Sequence, residues 1–116
     1  VTGPMFRSLH LMFEEQYIEL RDAVDEIAER IRALGHPSPG SFAEFSAATT
    51  IPEGDASTDA MDMVRQLAAG HETAARTARS VVGAAEGASD AATADLATVR
   101  IETHEKTAWM LRATAA

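Results

Sequence analysis

Residues 6–34 read FRSLHLMFEEQYIELRDAVDEIAERIRAL, and their spacing decides the fold. Phe6, Leu9, Phe13, Leu20, Val24, Ile27, Ile31 and Leu34 recur mostly at intervals of three and four, the period that lines residues up on one face of an α-helix. Pro4 stands just ahead, where a proline is tolerated at a helix start, and Gly35 follows the last apolar residue as a stop. A helix over about residues 5–34 is predicted, roughly 40 Å long at ~1.5 Å per residue. That is the length of a bundle element.

The helical period continues outward. Gly35 to Gly40 is a breaker-rich connection. A short helix is expected over 41–48, with Phe42 and Phe45 pointing together. After a loop containing Pro52 and Gly54, Ser57 reads as the N-cap of a helix over 57–86. Its seam is Ala60, Val64, Leu67, His71, Ala74, Ala78, Val81 and Ala85. Gly87-Ala88-Ser89 breaks it, and a last helix is expected over 89–113. Leu96, Val99, Ile101, Ala108, Trp109, Met110 and Leu111 spread widely around that helix, which predicts burial on more than one side. No strand pattern and no internal repeat is visible. Three long helices and one short one read as an all-α, four-helix bundle lacking its first member, in a single domain over 1–116.

Composition narrows the chemistry. There is no cysteine, which removes disulfides, thiolate zinc sites, iron–sulfur clusters and a cysteine nucleophile together. The formal charge is −8 and Lys106 is the only lysine, a poor basis for neutralising a phosphate backbone. No apolar run approaches the ~20 residues of a membrane span, and no secretory leader is evident. A cytoplasmic, reducing compartment is the expectation.

The histidines differ in their company. His71 and His104 are each followed by glutamate, but Ala75 and Ala108 occupy the fifth positions, so the zinc-protease pattern H-E-x-x-H fails twice. Both lie on buried seams and read as satisfied core histidines. His36 sits in the Pro/Gly loop and carries no signal. His10 shares a sector of ~100° on the first helix with Glu14, Asp25 and Glu29, away from the apolar stripe. A solvated acidic face is the plainer reading. A metal site is the sharper one, though Glu14 and Asp25 stand roughly 16 Å apart along the axis. His10/Glu14 and Asp25/Glu29 therefore cannot close on one ion within a chain. Two antiparallel copies of the helix crossing near Glu19 and Leu20 would bring one copy's His10/Glu14 to the other's Asp25/Glu29, twice per dimer. One imidazole with several carboxylates suits iron or manganese.

The stretch from Val1 to Tyr17, VTGPMFRSLHLMFEEQY, resembles the signature of the Dps family, where it continues His-Trp-Asn-Val-x-Gly-x-x-Phe-x-x-Leu-His. Asp22 to Ile31 is similar to the family's Asp-Glu-x-Ala-Glu-Arg-Ile run. Ala92-Thr93-Ala94-Asp95-Leu96 and His104-Glu105-Lys106-x-x-Trp109-Met110-Leu111 resemble its last helix. The resemblance implies a ferritin-like four-helix subunit with a short helix in the long second connection. It also implies assembly into a dodecameric shell built from two-fold dimers, oxidation of Fe(II) with peroxide or dioxygen, and storage of the ferric product. His10, Glu14, Asp25 and Glu29 match the family's shared ferroxidase residues, with glutamate at 14 where many members have aspartate. Asp90 and Asp95 match positions lining an acidic three-fold iron pore, although an acid at a helix N-terminus is also favoured by the macrodipole. The family's first metal histidine would fall three positions before Val1, on a first bundle helix expected to precede this sequence.

Three functions are therefore weighed. The first is an iron-oxidising, iron-storing miniferritin that protects against Fe(II) and peroxide. The second is a Dps-like shell acting mainly in DNA compaction or scaffolding, with a weak or incomplete metal centre and a tail outside these residues, associated with the nucleoid. The third is a helical association module whose His10 and carboxylates are only surface charge.

Overall fold

The computed structural model describes residues 1–116 and contains helices and loops but no strand. The order is α1 (Phe6–Ala33), α2 (Phe42–Ala48), α3 (Ala60–Gly87) and α4 (Ala91–Ala115). The all-α class and the long–short–long–long order expected from periodicity are both present. Contacts gather the chain into two units, Thr2–Pro52 and Glu53–Ala116, the latter with Val1.

In the first unit α1 runs unbroken for 28 residues. It stops where the sequence places the stop. Gly35 adopts φ +90°, while His36 N–H donates to Ile31 C=O and Gly35 N–H to Arg32 C=O. That is the Schellman closure, which satisfies the last carbonyls and favours glycine at the left-handed position. Arg30 and Arg32 in the last turn complement the negative helix end. α2 is held by a capping box: Ser41 Oγ accepts from the Glu44 amide, and the Glu44 carboxylate accepts from the Ser41 amide.

In the second unit α3 and α4 pack against each other. Glu72 pairs with Arg112, and Arg79 with Glu105, so the two helices run antiparallel. α3 starts later than expected: Asp59, not Ser57, is its N-cap and accepts from the Asp62 amide. Ser57 instead donates to Asp55 in a turn upstream. The buried stripe of α3 is Val64, Ala68, His71, Ala75 and Ala85. It is rotated slightly from the expected seam, leaving Val81 exposed.

α4 departs further from expectation. Its buried residues are Ala97, Arg100, His104, Ala108 and Leu111, a single stripe at spacings of three and four. Val99, Trp109 and Met110 are exposed, so the helix is not buried on several sides within the protomer. Small side chains explain the stripe. Ala75 and Ala108, 2% and 1% exposed, let two backbones approach closely where larger residues would hold them apart.

Candidate functional site

The sequence-predicted ligands all lie on α1. His10, Glu14, Asp25 and Glu29 are exposed, and the unbroken helix fixes each pair one turn apart, His10 with Glu14 and Asp25 with Glu29. Phe6 stacks on His10, with ring centroids 5.4 Å apart and planes inclined by 20°, which restricts the imidazole. Within one protomer no group of three metal-binding side chains converges, as the axial separation of the two pairs requires. Leu11 and Ile18 fall in the same sector of the helix, at ~100° and ~80° from His10, and are 45% and 42% exposed. Carboxylates and uncovered apolar side chains thus share one face.

Asp90 is the N-cap of α4. Its carboxylate accepts from the Thr93 amide at 3.0 Å and from the Thr93 hydroxyl. Asp95 is exposed one turn further on.

The chain matches the ferritin-like domain family over residues 1–116. It is 35% identical over 113 residues to DNA protection during starvation protein 2 of Bacillus anthracis, covering 97% of this chain and 77% of that protein. The chain belongs to the Dps family. Solved Dps structures agree: that of Thermosynechococcus elongatus matches with a TM-score of 0.95 and 33% identity, over 100% of this chain and 74% of that one. The Dps of Vibrio cholerae, described as a member of a broad superfamily of ferritin-like diiron-carboxylate proteins, matches at 0.95 and 32%, over 100% and 73%. A low-temperature-induced protein of Nostoc is 43% identical over 115 residues; this chain spans 64% of its length. The ferritin-like all-α fold expected for a Dps chain is therefore the observed one.

The Dps second unit contains a polar cluster that the sequence half reveals. His71 and His104 are buried, as expected of core histidines, and bonded to each other, Nδ1 to Nδ1 at 2.9 Å. Arg100, also buried, reaches His104 Nε2 at 3.2 Å. Guanidinium only donates, so His104 Nε2 accepts and its hydrogen lies on Nδ1. His71 Nδ1 must then accept, leaving its hydrogen on Nε2. The contacts order the whole relay.

Around this pair the chain repeats itself. His71-Glu72-x-x-Ala75-x-x-x-Arg79 in α3 recurs as His104-Glu105-x-x-Ala108-x-x-x-Arg112 in α4, which corrects the expectation that the sequence holds no internal repeat. Antiparallel packing turns the repeat into a two-fold-like clasp. The histidines meet in the core, the alanines allow close approach, and each glutamate pairs with the other helix's arginine. All four recurring residue types stand in the sequence; what it does not display is that the two copies face each other.

Proposed function

We propose that this chain is the ferroxidase subunit of an iron-oxidising, iron-storing miniferritin, with each metal site shared across a two-fold subunit interface. The observation that carries the proposal is the sector of α1 on which His10, Glu14, Asp25 and Glu29 sit exposed among uncovered apolar residues. A charged face meant only for water has no need of Leu11 and Ile18. An antiparallel pairing of two α1 helices would bury those side chains and set one subunit's His10/Glu14 against the other's Asp25/Glu29. None of the four is engaged in an ion pair or hydrogen bond within the protomer, so all are available to a cation. The donor set of one imidazole and three carboxylates fits Fe(II) as substrate, and bound cations relieve the mutual repulsion of the carboxylates.

Two Fe(II) ions give one electron each to a peroxide. Its O–O bond breaks to leave two hydroxides, and hydrolysis of the ferric product releases protons. The protein's part is to hold the two ions close and oriented and to receive the ferric product within a shell. That shell is a homo-oligomer built from the two-fold pairs, a dodecamer if it follows the family. Dioxygen is the alternative oxidant. DNA compaction is the second reading, and these residues lend it little, with one lysine and a charge of −8.

The test is anaerobic loading of the full-length protein with Fe(II), followed by peroxide, read as ferric absorbance. Rapid oxidation is expected, and Asp25→Ala with Glu29→Ala should slow it by more than the ~10–100-fold that losing a ligand's supporting hydrogen-bond partner costs. Wild-type rates in that double variant would remove the site.

A further inference from the structure

Between the two ligand pairs of α1 stands one basic side chain, Arg21. It lies ~20° from His10 on the helix, inside the sector of the proposed ligands and one turn, about 6 Å, before Asp25. Residues four apart face each other on a helix and adjacent ones do not, so Asp25 is the partner that spacing favours for Arg21. The guanidinium nevertheless bonds Asp22, whose Oδ1 accepts from Nε at 3.0 Å and from Nη2 at 2.8 Å. A shallow hollow of about 560 Å³ runs over Arg21, Asp22 and Asp25, which leaves the guanidinium open space on the side of either acid. Asp25 itself is exposed and holds no ion pair or hydrogen bond within the protomer.

We propose that Asp22 is a positioning residue of the shared metal site: it holds the Arg21 guanidinium and thereby keeps it off Asp25, leaving that carboxylate to the cation. The inference rests on the α1 reading above. An arginine seated on Asp25 would take the oxygens that a metal ion needs and set a like charge beside that ion. In the antiparallel pairing, Arg21 stands one turn inward of Asp25 in its own copy. It also lies beside Ile18 of the other copy, which is one turn from that copy's Glu14. Each shared site therefore has a guanidinium at its inner edge. Covering that edge with a second helix withdraws water and strengthens whichever partner the guanidinium keeps. With Arg21 bonded to Asp22, Glu14, Asp25 and Glu29 keep their full charge for a divalent ion. Asp22 supplies no ligand and acts through Arg21 alone.

A double-mutant cycle on the full-length protein tests it, read as Co(II) affinity by calorimetry, which needs no turnover. Asp22→Asn is expected to weaken Co(II) binding at the α1 site by roughly two- to five-fold, the range of exposed ion pairs. In an Arg21→Gln background the same substitution should leave the affinity unchanged, because no guanidinium is then released onto Asp25. That rescue separates positioning from the mere loss of a nearby negative charge, which would weaken binding equally in both backgrounds. Equal weakening in the two backgrounds, or no weakening by Asp22→Asn at all, overturns the inference. Failure of the α1 reading has a different signature, Co(II) binding that survives Asp25→Ala/Glu29→Ala; that result removes the site on which Asp22 acts and overturns both.

Discussion

His71 and His104 illustrate what single residues contribute. Each is legible in sequence as a core histidine from its place on a helical seam, but their partnership is not, because 33 residues separate them. Arg100 orders the pair. Nitrogen-detected NMR is expected to find His104 protonated on Nδ1 and His71 on Nε2 at neutral pH; the reverse tautomers would exclude the Arg100 hydrogen bond. Replacing His71 with alanine removes the acceptor that His104 Nδ1–H meets in the interior, a loss of about 1–3 kcal/mol that chemical denaturation can measure. Ser89 makes a second residue-scale case. Gly87-Ala88-Ser89 reads as the breaker after α3; within it Gly87 remains helical and Ser89 takes the left-handed conformation at φ +56°. Asp90 N–H donates to Ala85 C=O and Ser89 N–H to Glu86 C=O, so the turn is a Schellman closure without its usual glycine. Hydrogen-bond register, which the sequence does not display, fixes that position. Ser89→Gly is expected to stabilise the α3–α4 unit by about 1 kcal/mol, seen as a rise in denaturation midpoint.

At the scale of elements, α1 is the most readable part of the chain. Its period, its glycine stop and the common sector of His10, Glu14, Asp25 and Glu29 all follow from residue spacing. α4 is less readable because apolar residues surround it. The protomer covers one stripe, while Val99, Trp109 and Met110 stay exposed. Sequence counts apolar residues but does not say which face this chain itself covers. α2, only seven residues long, depends on its cap. The Gly40 amide, then the Ser41 hydroxyl and amide, hold the Glu44 carboxyl below the usual range. A lowered folded value means that the carboxylate's contribution is complete above the ordinary carboxylate pKa and is lost as pH falls through the folded value. α2 is therefore expected to fray in acid, with its amide signals shifting toward coil values below the normal carboxylate range. Glu44→Gln should weaken the same cap at neutral pH.

For the whole molecule, the acidic balance and the absence of cysteine exclude several chemistries, and periodicity specifies an all-α architecture. The family completes that picture with the ferritin-like fold. The proposed shared metal site belongs to this scale, because two pairs of candidate ligands roughly 16 Å apart on one helix can meet at one cation only between copies. That can be tested by mixing subunits. His10→Ala/Glu14→Ala and Asp25→Ala/Glu29→Ala full-length proteins should each oxidise Fe(II) poorly alone. A mixed pair carries one doubly damaged site and one intact site, since the first variant keeps Asp25 and Glu29 and the second keeps His10 and Glu14. After unfolding and refolding together in equal amounts, the co-assembled protein is expected to regain about a quarter of the wild-type rate, from random pairing across a two-fold. No recovery in a correctly co-assembled mixture would contradict a site shared between subunits.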